Sequence, residues 1–112
     1  MKEFINYLNS KIEEGKAETT SLLADGCADE ANFSKVRTNI YDVCRTVSQA
    51  LINRPGAGTG AIKAQLERFR TEWSAALEKA KQHGNINGIA VEETKLAALD
   101  DIIAHFKEVP EA

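Results

Sequence analysis

The chain has 112 residues, a formal net charge of −3 and a sequence pI near 5.4. Hydrophobic residues make up 43% of the sequence and charged residues 28%, which is typical of a soluble globular domain and argues against low-complexity disorder. No apolar run approaches the roughly 20 residues of a membrane-spanning helix. The first residues also lack the apolar core of a signal peptide. The composition therefore predicts one cytoplasmic domain over residues 1–112 without membrane contact, and the acidic balance disfavours nucleic acid as a partner.

The two cysteines, Cys27 and Cys44, are too few for a disulfide-stapled secreted scaffold. Cys44 lies about 22 Å along the predicted second helix, whereas the Cα atoms of a disulfide lie within about 7 Å of each other. We therefore expect two free thiols in a reducing compartment.

The first predicted helix covers residues 2–24 and ends at Gly26, which suits a left-handed C-terminal cap. Its apolar stripe weakens at Gly15, where an interior glycine costs roughly 1 kcal/mol relative to alanine. Gly15 is compatible with a slightly weak helix. It is also compatible with a notch that admits a large side chain from another helix.

The second and third predicted helices cover residues 29–52 and 60–83, separated by a Gly/Pro loop. Asp29 and Thr59 are suitable N-caps, and Gly84 is a suitable C-terminal cap. Apolar residues recur every three or four positions, so that each helix carries one apolar stripe. The two stripes contain Phe33, Val36, Ile40, Val43, Val47 and Ala50, then Ile62, Leu66, Phe69, Trp73, Ala76 and Ala80.

The fourth predicted helix covers residues 91–107, with Glu92 and Glu93 in its first turn. Asparagine and glycine in residues 84–88 predict a loop. Ile86 and Ile89 are apolar, so one side chain of this segment is expected to reach into the end of the bundle. Residues 109–112 are expected to fray.

Long helices joined by short connections favour antiparallel neighbours. The predicted fold is all-α, an up-down-up-down four-helix bundle, in which Trp73 is expected to pack into or near the notch at Gly15. The alternative that stays open is homodimerisation, which would complete or extend the bundle, because an incompletely covered flank leaves an apolar patch.

One surface stripe is the best candidate interaction face. Arg37, Tyr41 and Arg45 are spaced four apart and so share one face of the second helix. Arginine and tyrosine are frequent binding hot spots, and arginine stacked on tyrosine would suit an acidic protein partner. The other interpretation is a solvated face in which arginine stems half cover Tyr41.

The start of the third helix is the candidate anion site, because Arg54 precedes the free first-turn amides at Thr59 and Gly60. The run from Gly56 to Ala61 formally matches a dinucleotide-binding fingerprint. That motif requires a preceding strand, and the sequence predicts none. A flexible connection between two helices is the simpler interpretation of this loop.

Catalytic and metal-binding constellations are not evident. His105, followed by Lys107, partly resembles the phosphorylatable histidine of histidine phosphotransfer domains, but no glycine follows it and Glu108 adds negative charge. Neither histidine follows a glutamate by three positions, as di-iron bundles require, and no zinc or haem motif is present. We expect no cofactor.

The sequence favours a non-enzymatic protein-interaction or regulatory module that contacts a protein partner or associates with itself. The alternative is a bundle that binds an anion or a small molecule at the start of the third helix or in a gap near Gly15. A protein resembling a histidine phosphotransfer domain ranks below both.

Overall fold

The computed structural model describes residues 1–56 and 58–109. Its four helices are α1 Lys2–Ala24, α2 Ala28–Ile52, α3 Thr59–Gln82 and α4 Ile86–Glu108, and these described ranges contain no strand. The predicted all-α four-helix bundle is confirmed. None of these helices combines the length and the apolar character needed to cross a membrane. Ala57 of the predicted loop and residues 110–112 of the predicted tail lie outside the described residues.

The first three helices begin within one residue of their predicted starts, and α1 and α3 end at the predicted glycines. Gly26 has a φ of +78° and Gly84 a φ of +64°, the left-handed conformation of a Schellman cap. In each cap the next amide donates across the turn, from Cys27 to the Leu22 carbonyl in the first case. The expected N-caps were wrong: Cys27 precedes α2, and Gly58 precedes α3, so Thr59 is the first helical residue.

Helix α4 begins at Ile86, five residues before the predicted start, because Asn85 acts as an N-cap. The Asn85 side-chain oxygen accepts a hydrogen bond of 3.0 Å from the Gly88 amide. A Cβ at Gly88 would lie 2.5 Å from the Asn85 amide nitrogen, so glycine admits this cap. Ile86 is 83% exposed and does not reach into the bundle, whereas Ile89 is half-buried.

The core lies in the half of the molecule where α1 and α3 begin and α2 and α4 end. Eleven buried side chains form it: Phe4, Leu8, Ile12, Ile40, Tyr41, Cys44, Ile62, Leu66, Ala98, Leu99 and Ile102. The opposite halves of the helices extend from this core as two hairpins. We call residues 13–39 the first arm and residues 67–97 the second arm. The radius of gyration, 15.2 Å, exceeds the roughly 13 Å expected for this length, in keeping with the extended arms.

The predicted contact between Trp73 and Gly15 was wrong. Within residues 1–56 and 58–109, α1 and α3 make no direct helix-helix contact, because α2 packs on α4 between them. The notch at Gly15 is occupied by Thr38 of the adjacent helix α2: a Cβ at Gly15 would lie 2.0 Å from the Thr38 hydroxyl oxygen. Trp73 instead stacks on Phe69, with 4.9 Å between ring centroids.

Candidate functional site

The first arm closes on itself through small side chains. Ala31 and Ser34 are fully buried, and Thr19 is nearly so. The Thr19 hydroxyl lies 2.8 Å from the Gly15 carbonyl oxygen and 2.8 Å from the Ser34 hydroxyl. Together with the close approach of Thr38 to Gly15, these contacts hold the two helices of the first arm closely against each other.

The second arm has no buried side chain anywhere in residues 67–97. Its largest residues, Phe69 and Trp73, are half-buried and pack against the edge of the core. The Lys95 ammonium lies 5.0 Å from the centroid of the Trp73 ring and 3.3 Å from the Glu92 carboxylate. This inward-facing ion pair is 23% and 18% exposed, so the interior of the second arm is partly polar.

The α3 stripe shows how the cover changes along one helix. Ile62 and Leu66 are 2% and 3% exposed, whereas the next four members of the same stripe are only half-buried. Beside the last two of these, Ala76 and Ala80, a shallow groove of about 270 Å³ opens between α3 and α4, and Gly88 lines its other wall. The stripe thus continues into the second arm, where its members are only half-buried.

The two arms also differ in charge. Residues 13–39 contain six acidic and three basic side chains, whereas residues 67–97 contain five of each. The first arm therefore has a formal net charge of −3, equal to that of the whole chain, and the second arm has a net charge of zero. Two copies of the first arm would repel each other, and two copies of the second arm would not.

The predicted interaction face, Arg37, Tyr41 and Arg45, is largely engaged within the chain. Arg37 pairs with Glu18 at 2.5 Å, and Arg45 pairs with Asp42 at 2.6 Å. Tyr41 is buried, so it offers no exposed ring on which the arginines or a partner could stack. Binding of an acidic partner at this face stays a prediction.

Tyr41 belongs to a polar cluster that joins three helices. The hydroxyls of Tyr7 and Tyr41 both donate to Oδ2 of Asp101, over 2.5 Å and 2.7 Å. His105 stacks on the Tyr7 ring with 3.6 Å between centroids, and Lys11 lies 6.0 Å from the Tyr41 ring. We call Tyr7, Tyr41 and Asp101 the tyrosine latch. It fastens α1 and α2 of one hairpin to α4 of the other.

The protonation states in the latch follow from burial and from these hydrogen bonds. Burial, and then the bond to Asp101, raise the pKa of both Tyr7 and Tyr41. The two donated bonds lower the pKa of Asp101. The tyrosines are therefore neutral donors and the carboxyl group an ionised acceptor, an arrangement suited to holding helices together.

A second groove, of about 540 Å³, runs between the start of α3 and the end of α4. Its volume is within the range of small-molecule sites, roughly 300–1,000 Å³. The apolar residues that line it are Met1, Leu66, Ile103, Phe106 and Val109. The polar lining comes from Thr59, Gly60, Lys63, Glu67, Arg70 and Lys107. We call this cavity the basic groove.

The basic groove contains two of the three predicted anion-site residues. Thr59 and Gly60 line it, whereas Arg54, in the turn after α2, does not. Sequence reasoning missed the contribution of α4, represented by Phe106 and Lys107. The signal was available in principle, because antiparallel α3 and α4 must bring the start of one beside the end of the other.

The remaining chemistry-bearing side chains are dispersed. Burial raises the pKa of Cys44 to about 12, so its thiol stays protonated. Cys27 is free and half-buried at the start of α2. Among the described residues, no group of three or more histidine, cysteine, aspartate or glutamate side chains is placed to hold a metal ion.

Comparisons with known proteins found no matching family model, no matching curated protein and no matching solved structure.

Proposed function

We propose that this chain is a self-associating protein-interaction module whose second arm pairs with the second arm of another copy. The observation that carries the proposal is the uncovered hairpin: residues 67–97 contain no buried side chain, although an apolar stripe runs through them. Contiguous half-exposed apolar surface of this kind marks interaction sites. In the other half of the molecule α2 packs against α3 and covers the same stripe, and the hairpin of a second copy would supply the equivalent cover.

The charge balance favours a second copy as the occupant. Residues 67–97 carry five acidic and five basic side chains, so two second arms meet without net repulsion. The first arm, with six acidic and three basic side chains, would be repelled by its own copy. Association through the second arms also keeps the two acidic arms apart.

The order of large and small residues along α3 supports a two-fold arrangement. Phe69 and Trp73 are large, whereas Ala76 and Ala80 are small and border the groove of about 270 Å³. An antiparallel pair with its axis between residues 74 and 75 places Phe69 of each copy over Ala80 of the other, and Trp73 over Ala76. Such self-complementary surfaces are what a two-fold dimer requires.

The first test replaces one half-buried leucine of the second arm, Leu77→Glu, and measures mass by sedimentation equilibrium. A charge in the interface costs several kcal/mol, so we expect the wild-type mass of twice 12.3 kDa to fall to the single-chain value. The matched control is Leu23→Glu, the same change at a 51% exposed leucine of the first arm, and it should leave the dimer intact. A monomeric wild type, or equal behaviour of both variants, contradicts the proposal.

A charge swap tests the two-fold register. The proposed axis places Lys79 of one copy within one helical turn of the position opposite Glu72 of the other, and both side chains are exposed in the single chain. Glu72→Lys puts like charges together twice, and we expect dimer dissociation to become roughly tenfold more favourable. The double variant Glu72→Lys/Lys79→Glu should restore wild-type affinity. An unrestored double variant would exclude this register.

The proposal includes a cytoplasmic, non-enzymatic role. Two unpaired cysteines, Cys27 and Cys44, support a reducing compartment. The protonated state of the buried Cys44 thiol supports a structural role for that residue.

A further inference from the structure

We propose that the basic groove between α3 and α4 binds a single-chain amphipathic carboxylate, a molecule with one anionic head and one unbranched acyl chain. This inference does not depend on self-association, because the lysine end of the groove and its apolar wall lie outside residues 67–97, and only Glu67 and Arg70 of the lining belong to the second arm. Two features of the groove carry it, the distribution of its charge and the continuity of its apolar wall.

The cationic groups lie at one end of the groove. Lys63 follows the first turn of α3, and Lys107 lies in the last turn of α4, so antiparallel packing brings both to the same end. Neither lysine is in an ion pair with another described residue. The α3 N-terminus at this end has no acidic residue in its first turn and no side-chain cap. Its helix dipole adds to the positive potential of the lysines.

The charges toward the other end are compensated. Arg70 pairs with Asp100 at 2.8 Å, and Glu67 adds a negative charge to the groove wall. A ligand with charges at both ends would therefore meet repulsion or a neutral pair at the second end. A ligand with one anionic head and an uncharged tail fits this order of charges along the groove.

An apolar wall connects the two ends. Leu66 is 3% exposed, and the half-buried Ile103 and Phe106 of α4 lie beside it in the groove. An inorganic anion would use only the lysine end and leave this wall exposed to water. An acyl chain covers the wall, and its burial supplies the larger part of the affinity.

The test titrates isotope-labelled Leu77→Glu protein, which removes any contribution from the proposed dimer interface, with octanoate, decanoate and dodecanoate. Amide shifts in NMR spectra locate the site and give its affinity. We expect changes centred on Thr59, Lys63 and Phe106, and affinity that rises about fourfold for each added methylene. Octanol, which has no carboxylate, should bind roughly tenfold more weakly than octanoate.

Paired variants separate the lysines of the groove from lysines in general. Lys63→Gln/Lys107→Gln should weaken octanoate binding to the level of octanol and leave octanol binding unchanged. The control Lys16→Gln/Lys35→Gln, in the first arm, should bind both as the parent does. Equal affinity for octanoate and octanol, shift changes centred on Ile89 in the second arm, or no saturable binding would each overturn the inference. None of these outcomes depends on whether the wild-type protein forms a dimer.

Discussion

The two arms of this molecule have the same construction, an antiparallel helical hairpin that extends from one core, yet they differ in what their helices hold between them. The first arm is closed by small residues, with Ala31 and Ser34 buried and Gly15 in contact with Thr38. The second arm carries Phe69 and Trp73 and buries none of its side chains. Two helices can cover small side chains by close approach, whereas large ones need a third surface.

The difference teaches that apolar content alone does not identify an interaction surface. The first arm also has half-buried apolar residues, such as Phe33 and Val36. Its helices nevertheless pack closely on each other through the hydrogen bond between the Thr19 and Ser34 hydroxyls. Its net negative charge also opposes self-association. The second arm combines uncovered apolar surface with electrical neutrality, and this combination supports the proposed interface.

The largest expected effect comes from enlarging the small residue at each arm's helix-helix contact. Gly15→Ala places a Cβ 2.0 Å from the Thr38 hydroxyl oxygen, and the overpacking should lower the free energy of unfolding by about 2 kcal/mol. Ala80→Leu in the second arm adds more volume but enters the groove of about 270 Å³. It should change stability by less than about 0.5 kcal/mol.

Urea denaturation of monomeric protein, in the Leu77→Glu background, measures both variants without interference from association. The double variant Gly15→Ala/Thr38→Ala should recover part of the loss, because it removes the hydroxyl oxygen at 2.0 Å and leaves only the Cβ of residue 38 at 3.0 Å. Equal destabilisation by Gly15→Ala and Ala80→Leu would show that the two arms are equally closed and remove the basis of the comparison.

A smaller effect is expected at the tyrosine latch, which lies where the hairpins meet and belongs to neither arm. Asp101→Asn keeps an acceptor for Tyr7 and Tyr41 but removes the charge that strengthens both bonds. We expect a loss of about 1 kcal/mol at pH 7. Amide hydrogen exchange should show an equal loss of protection in both arms. An equal loss would distinguish this effect on the core from a change within either arm.

The pH dependence of stability checks the same residue. The pKa of Asp101 is lowered in the folded chain, so its contribution is complete above the unfolded value near 3.9 and is lost as the pH falls below it. The pKa values of Tyr7 and Tyr41 are raised, so stability should decline as the pH rises past about 10. In Asp101→Asn, the free energy of unfolding should depend less on pH in the acid range. Its decline above pH 10 should remain, because burial of the two tyrosines also raises their pKa values. An unchanged dependence in the acid range would contradict the assigned role.

Much of the fold could be predicted from the sequence because local chemistry determines where helices end. The glycines at 26 and 84 take the left-handed caps that the sequence predicted. The start of α4 was missed because asparagine and glycine signal both loops and N-caps, and only the geometry distinguishes the Asn85 cap from a turn.

The packing was less predictable than the helices. Periodicity identifies a stripe, but it does not say which helix faces it, so Gly15 was assigned to Trp73 rather than to Thr38 in the adjacent helix. For the same reason, the sequence predicted only some of the residues that line the basic groove. Thr59 and Gly60 follow from the start of a helix, whereas Phe106 comes from a segment 46 residues later whose register the sequence does not specify.

The most direct test of the central claim is amide hydrogen exchange of the wild-type protein at several concentrations, read separately for residues 13–39 and 67–97. If the second arms pair, amides in residues 67–97 gain protection as the concentration rises, while those in residues 13–39 stay constant. Protection that is independent of concentration in both arms, or that rises in the first arm alone, would contradict the proposal that the second arm is the association surface.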